Sequence, residues 1–242
     1  MFAHVTIRAR GREASERFYR TVLGAVGIEI THDTAEIVAW DDFAILQAET
    51  PGRATRGLHV GFVAPSRERV DAFWQAGIDA GYENAGRPGE RPQYRPDYYG
   101  AFLLDPDGNS AEAVHHGDTR RGGNIDHLWI GVADLEASEA FYRTIARHTG
   151  LRDGRRWAEG VQFRGAWATF SLVHDGRPPT ERLHMAFPAP DRATVDEFHA
   201  AAVSAGYTDN GPPGERPQYG EGYYAAFVLD PDGTNVESVH RG

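Results

Sequence analysis

The sequence predicts an α+β protein of two tandem domains, each built from two strand–helix–strands modules. Three observations carry this. First, the chain repeats itself: GERPQY at Gly89–Tyr94 returns at Gly214–Tyr219, Tyr98-Tyr99 at Tyr223-Tyr224, and LDPDG at Leu104–Gly108 returns at Leu229–Gly233, all with an offset of 125. Upstream, Phe18-Tyr19 matches Phe141-Tyr142 at an offset of 123. This period far exceeds the roughly 20–50 residues of a solenoid repeat, so it marks a duplicated domain. Second, one pattern of strand, helix and further strands occurs four times. Third, 242 residues with 40% hydrophobic and 25% charged side chains suit two ordinary globular domains.

The elements follow in order. FAHVTI, carrying His4, alternates as a strand, and Ala14, Phe18 and Val22 then fall at helical spacing. AEIVAW and FAILQ are rich in β-branched and aromatic residues, as strands are. LHVGFV, carrying His59, opens the second module. Val70, Phe73, Trp74 and Ile78 mark its helix, and Gly81 suits the position just past the helix end. AFLLDPDGNSAEAV reads as a hairpin, with Asp105 and Pro106 at the first turn positions and Gly108 at the last. The second half repeats this. DHLWIGV, carrying His127, precedes a helix through Leu135, Phe141 and Ile145 that ends near Gly150, and WATFSLV follows as strand. LHMAF, carrying His184, precedes a helix through Val195, Phe198, Ala202 and Val203 that ends at Gly206, and YYAAFVL follows. The domains are expected at 1–117 and 124–242, joined by a linker at 118–123 within the Gly- and Arg-rich GDTRRGGN.

Composition excludes several functions. The net charge is −10, from 35 acidic against 25 basic residues, which argues against a nucleic-acid surface. There is no cysteine, and so no disulfide, thiol nucleophile or iron–sulfur cluster. No lysine occurs either, which removes Schiff-base chemistry and a P-loop lysine. No run approaches the ~20 apolar residues of a membrane helix, and MFAHVTIRAR lacks the apolar core of a signal peptide. The expectation is a cytoplasmic protein with a small-molecule partner and no membrane or nucleic acid. It would be a monomer with two pseudo-symmetric domains or a homodimer. Its 11 histidines are the most obvious remaining metal ligands and proton carriers.

Strand alternation places His4 on a face with Phe2 and Thr6, His59 with Gly61 and Val63, and Glu112 with Ser110 and Val114. His127, His184 and Glu237 hold matching places. A carboxylate and two imidazoles on strands this apolar need partners. One reading is that each is simply hydrogen-bonded within the sheet. The other is a divalent cation held by two histidines and one carboxylate, with positions left open for substrate.

These residues, with YYAAFVLDPDGTNVE and its DPDG-x-x-x-E ending, resemble the vicinal oxygen chelate superfamily. That group contains glyoxalase I, extradiol dioxygenases, and fosfomycin- and bleomycin-resistance proteins. The resemblance covers nearly the whole chain. It implies four βαβββ modules forming two curved mixed sheets with helices outside, and metal ligands at His4, His59, Glu112, His127, His184 and Glu237. The modules would pair within each half or across halves. Pairing within halves groups His4 with His59 and Glu112, and His127 with His184 and Glu237. Pairing across groups His4 with His184 and Glu237, and His127 with His59 and Glu112.

The sequence also departs from the family's enzymes. The further glutamate of glyoxalase I is matched by Gln47 in one half and Ser171 in the other. Gln47 would be a fourth ligand but not a base. The tyrosine of extradiol dioxygenases is matched by Phe102 and Phe227. Tyr98, Tyr99, Tyr223 and Tyr224 are candidate phenolic donors, with packing on the sheet as the alternative for one of each pair. Arg91 and Arg216 are candidate substrate-binding residues in the GERPQY loops. Trp40, Trp129 and Trp167 would line a cavity or pack the core. The expected function is a metal-dependent enzyme (Fe, Mn, Zn or Ni) that chelates vicinal oxygens of a small substrate, as a dioxygenase or a lyase/isomerase. The alternative is a bleomycin-resistance-like protein that sequesters an aromatic antibiotic without catalysis. Either both halves are active, or one is scaffold.

Overall fold

The computed structural model describes residues 1–117 and 122–242. Residues 118–121 of the expected linker 118–123 lie outside the described residues. The first module comprises β1 (His4–Ala9), α1 (Arg12–Val26), β2 (His32–Asp33), β3 (Ile37–Trp40) and β4 (Phe43–Gln47). The second has β5 (Leu58–Val63), α2 (Arg67–Asp79), β6 (Glu83–Glu90), β7 (Tyr99–Leu104) and β8 (Ser110–His115). The third has β9 (Ile125–Gly131), α3 (Leu135–Thr149), β10 (Arg152–Trp157), β11 (Gly160–Arg164) and β12 (Thr169–Val173). The fourth has β13 (His184–Pro188), α4 (Arg192–Ser204), β14 (Thr208–Glu215), β15 (Tyr223–Leu229) and β16 (Asn235–Arg241).

The expected alternation of strands and helices is therefore present four times. The strands form two eight-stranded mixed sheets, ordered β14-β15-β16-β13-β1-β4-β3-β2 and β10-β11-β12-β9-β5-β8-β7-β6. Of the two pairings open to the sequence, the modules combine across the halves. The described chain divides into two compact units. The N-terminal unit is Thr6–Trp129, and the C-terminal unit is Ile130–Gly242 together with Met1–Val5.

Local chemistry explains the helix ends. Ser66, Asp134 and Asp191 cap α2, α3 and α4 by accepting backbone N–H bonds of the first turn. α1 starts after Gly11, which has no side chain to cap it. Gln47 Oε1 accepts from Arg12 N–H at 2.9 Å instead. α1 and α3 end on Gly27 and Gly150 in the left-handed region, at φ 90° and 69°.

The Phe-Tyr and DPDG motifs prove to be one device. Tyr19 is fully buried on α1 and donates to Asp105 Oδ2 at 3.1 Å. Asp105 Oδ1 accepts from Asp107 N–H and Asn109 N–H, closing the turn. In the C-terminal unit Tyr142 donates to Asp230 at 2.9 Å, and Asp230 closes the same turn. Helix and hairpin are thus locked together, and the hairpin's second strand carries Glu112 or Glu237. Parallel pairing of β5 with β8 then sets Gly61 opposite Glu112 and His59 opposite Ser110. The pairing of β13 with β16 sets Ala186 opposite Glu237 and His184 opposite Asn235.

Candidate metal centres

Two His-His-Glu groups converge among the described residues: His59, Glu112 and His127 in the N-terminal unit, and His4, His184 and Glu237 in the C-terminal unit. In the first, the Nε2 atoms of His59 and His127 stand 2.9 Å apart, and each lies 3.1 Å from Glu112 Oε2. In the second, His4 and His184 Nε2 are 3.0 Å apart, and Glu237 Oε2 is 2.9 Å from His184 and 3.5 Å from His4. Both glutamates are buried at 1% exposure. Burial raises a carboxyl's pKa, but hydrogen bonds from the two histidines outweigh it and hold both glutamates below the usual range, Glu237 at about 2.

The donor set fits a divalent cation. Donors about 2.1 Å from a metal and at right angles to one another stand about 3 Å apart. The edges of both triangles are close to that. In each group one ligand atom from each of three side chains meets in one place, and a carboxylate with two deprotonated Nε2 atoms would form an open facial set. The outer nitrogens are held by the protein. His127 Nδ1 bonds to Asp126 Oδ1 at 2.9 Å, and His59 Nδ1 bonds to Ser110 Oγ at 2.9 Å. A donated Nδ1–H leaves Nε2 as the inward lone pair.

The tyrosine pairs divide by strand alternation. Tyr98 donates to Glu112 Oε1 at 2.7 Å, and Tyr223 to Glu237 Oε1 at 2.6 Å. Burial, then the adjacent carboxylate, raises both phenols far above the ordinary value, so they are donors and not bases. Tyr99 and Tyr224 point to the helix side, where they bond Asp71 and Asp196. Phe102 lies beside His59, with ring centroids 5.9 Å apart, and Phe227 beside His184 at 6.3 Å.

Other sequence candidates have different roles. Gln47 is no ligand here: its oxygen caps α1, and its amide donates to the carbonyls of Arg10 and Ala48. Its match to Ser171 is also a register slip. Phe43 packs on Tyr19 and pairs with Trp40 across the β3–β4 hairpin. Phe170 packs on Tyr142 and pairs with Phe163 across β11–β12. Phe43 and Phe170 are therefore equivalent, which aligns Ser171 with Ala44 and Gln47 with His174. Ser171 is fully buried, and its hydroxyl has no hydrogen-bond partner. Arg91 and Arg216 donate to carbonyls of their own loops and lie over Phe102 and Phe227. Trp40 is core, and Trp167 is 45% exposed. Trp129 flanks the N-terminal triad, with centroids 6.1 Å from His59 and 6.5 Å from His127, and Tyr94 lies 6.3 Å from Trp129.

The sequence reading missed Asp126. It bridges two histidines, with Oδ1 to His127 and Oδ2 to His116 Nε2 at 2.9 Å. The signal was present in Asp126-His127, against Ala3-His4 in the other half.

Comparison with known proteins agrees with this fold. The family described as Glyoxalase/Bleomycin resistance protein/Dioxygenase superfamily matches residues 1–113 and again 124–238. The chain is similar to glyoxalase I of Zea mays, at TM-score 0.74 and 17% identity, over 99% of this chain and 92% of that one. At that identity the likeness is one of fold. A glyoxalase/bleomycin resistance protein from Albidiferax ferrireducens T118 is 31% identical, covering 48% of this chain and 98% of its own, with a TM-score of 0.42. Uncharacterized protein YqjT of Bacillus subtilis (strain 168) is 28% identical over 124 residues, 48% of this chain and 97% of its own. Among the described residues, no helix is long and apolar enough to cross a membrane.

Proposed function

Because the chain belongs to the Glyoxalase/Bleomycin resistance protein/Dioxygenase superfamily, we propose that it is a metal-dependent enzyme acting on a small substrate through two adjacent oxygens, as a dioxygenase or a lyase/isomerase. The ligand sets are His59, His127 and Glu112, and His4, His184 and Glu237. One observation carries this reading: in each unit two imidazole nitrogens and one carboxylate oxygen meet within 3.5 Å, in a pattern the chain builds twice.

A bound divalent ion (Fe, Mn, Zn or Ni) supplies Lewis acidity and open positions for substrate oxygens. The protein's own residues do the rest. The tyrosines Tyr98 and Tyr223 occupy one carboxylate oxygen each, so that Glu112 and Glu237 offer only the other. Asp126 and Ser110 fix the rings of His127 and His59. Phe102, Trp129 and Tyr94 give the N-terminal site an apolar wall beside His59, suited to the hydrocarbon part of a substrate. Ring cleavage or isomerisation would need a proton carrier, and neither tyrosine nor Gln47 is placed to be a base.

The test is metal content after dialysis. The wild type is expected to retain metal, and the double variant Glu112→Ala/Glu237→Ala to lose it. Unchanged occupancy in that variant refutes the ligand sets. A wild type that retains no metal from any of the four ions refutes the enzyme reading and favours a protein that only sequesters its ligand.

A further inference from the structure

The two triads share residue types but not surroundings, and four differences point the same way. The first is behind the β1/β9 histidine. His127 donates to the Asp126 carboxylate, which His116 holds from the other side. At the equivalent place His4 follows Ala3, which offers no acceptor. The second lies at the position of His116, where the C-terminal unit has Arg241. Its guanidinium stands 5.4 Å from the ring of Tyr223, the residue that holds Glu237. One unit thus sets a carboxylate behind its site, shared by two histidines, where the other sets a guanidinium beside the tyrosine that holds its glutamate.

The third difference is beneath the ring. A Cβ on Gly61 would fall 2.2 Å from His127 Cε1, so the imidazole lies directly over a bare backbone. The matching residue, Ala186, does carry a Cβ. The triangle with glycine closes to 2.9, 3.1 and 3.1 Å, whereas the one with alanine has an edge of 3.5 Å from His4 to Glu237. The fourth is at the other histidine. His59 Nδ1 meets the Ser110 hydroxyl, which rotates to accept a proton. His184 Nδ1 meets the Asn235 amide nitrogen at 2.9 Å, while Asn235 Oδ1 accepts from Asn210. That donor leaves the His184 proton on Nε2. Ligation there requires the amide to turn over and give up its bond from Asn210.

We propose that the two centres are unequal by construction. The N-terminal triad, backed by Asp126 and seated on Gly61, is the high-affinity metal site, and the C-terminal triad is a weak one that fills second. This rests on the metal reading above. Asp126 acts here as a positioning residue: its carboxylate fixes the His127 ring and raises the basicity of Nε2, an effect typically worth about 10–100-fold in metal affinity.

The test is Mn2+ titration of metal-depleted full-length protein, following the free-ion electron paramagnetic resonance signal. Glu237→Ala isolates the N-terminal site, and Glu112→Ala the C-terminal one. The Glu237→Ala protein is expected to bind one Mn2+ at least about tenfold more tightly than the Glu112→Ala protein. Added to Glu237→Ala, Asp126→Ala should weaken binding by about 10–100-fold. Asp126→Asn, which keeps an acceptor oxygen in place, should weaken it less, and it decides the point if the alanine variant does not fold. Added to Glu112→Ala, Asn235→Ser should tighten binding. Equal affinities in the two single-site proteins, or no loss with either Asp126 variant, overturn the inference and leave the metal reading standing. A wild type that takes up no Mn2+ overturns both.

Discussion

The phenol of Tyr98 donates to Oε1 of Glu112 at 2.7 Å, while both histidines face Oε2. The carboxylate is thereby split between one oxygen bound to the phenol and one that faces the two imidazoles. Without the phenol, Oε1 is buried and loses its charge-assisted bond. Tyr98→Phe should lower stability in urea unfolding by about 1.5–3 kcal/mol. Tyr99→Phe, on the exposed helix side, should stay within about 0.5 kcal/mol of wild type. Equal effects of the two would mean that the Glu112 bond contributes nothing.

Gly61 leaves room for His127. In Gly61→Ala the new Cβ has to displace the imidazole, and overpacking of this kind costs roughly 1–3 kcal/mol. Mn2+ affinity of the N-terminal site should fall by about tenfold or more in the Glu237→Ala background. The site in the C-terminal unit, measured in Glu112→Ala, should not respond. A response of both sites would show a general loss of fold.

Gln47 separates a capping role from a ligand role. Its oxygen serves the first turn of α1. Gln47→Ala should cost about 1 kcal/mol, the usual value of a helix cap. Metal stoichiometry should be unchanged, and loss of one equivalent would restore Gln47 to the ligand set.

Asp230 gives a pH signature away from both triads. Burial raises it from 3.8 to about 6, against the pull of Thr234 N–H and the Tyr142 hydroxyl. Between those values the folded chain keeps a proton that the unfolded chain has released. Stability contributed by this group is therefore full below about pH 4, falls as pH rises to about 6, and is level above, with a total span of about 3 kcal/mol. Asp230→Asn does not titrate. The gap in urea midpoint between wild type and Asp230→Asn should shift against the wild type from pH 4 to pH 7. A gap independent of pH would remove Asp230 as its source.

The six residues of the two triads were legible because alternation and the repeat both placed them. Module pairing was not, because His4 and His127 are the same residue type and either arrangement gives two histidines and a glutamate. The Gln47–Ser171 match failed for a local reason. Trp40 and Phe43 pair across only Asp41 and Asp42, with Asp41 at φ 58°, whereas Phe163 and Phe170 enclose the longer segment Arg164–Thr169. Gln47 and Ser171 stand 124 apart, whereas Phe43 and Phe170 stand 127 apart, so the match slips inside that hairpin. The tyrosine pairs were legible as one inward and one outward residue, but not which, since YY alternates equally well in either register. Asp126 and Ala3 differ only behind the histidine, where ligand spacing alone carries no information.

The C-terminal unit takes its first five residues from the opposite end of the chain. On the ribosome, where synthesis adds about 5–20 residues each second, His59, Glu112 and His127 have all emerged while the second half is still being made. His4 precedes Glu237 by 233 residues, so their centre closes only after Glu237 has emerged, across a far longer loop than the one that joins His59 to His127. The two centres are thus separated in time of birth. A ribosome stalled within α4 would expose a chain with one complete triad and a His4 whose partner carboxylate does not yet exist.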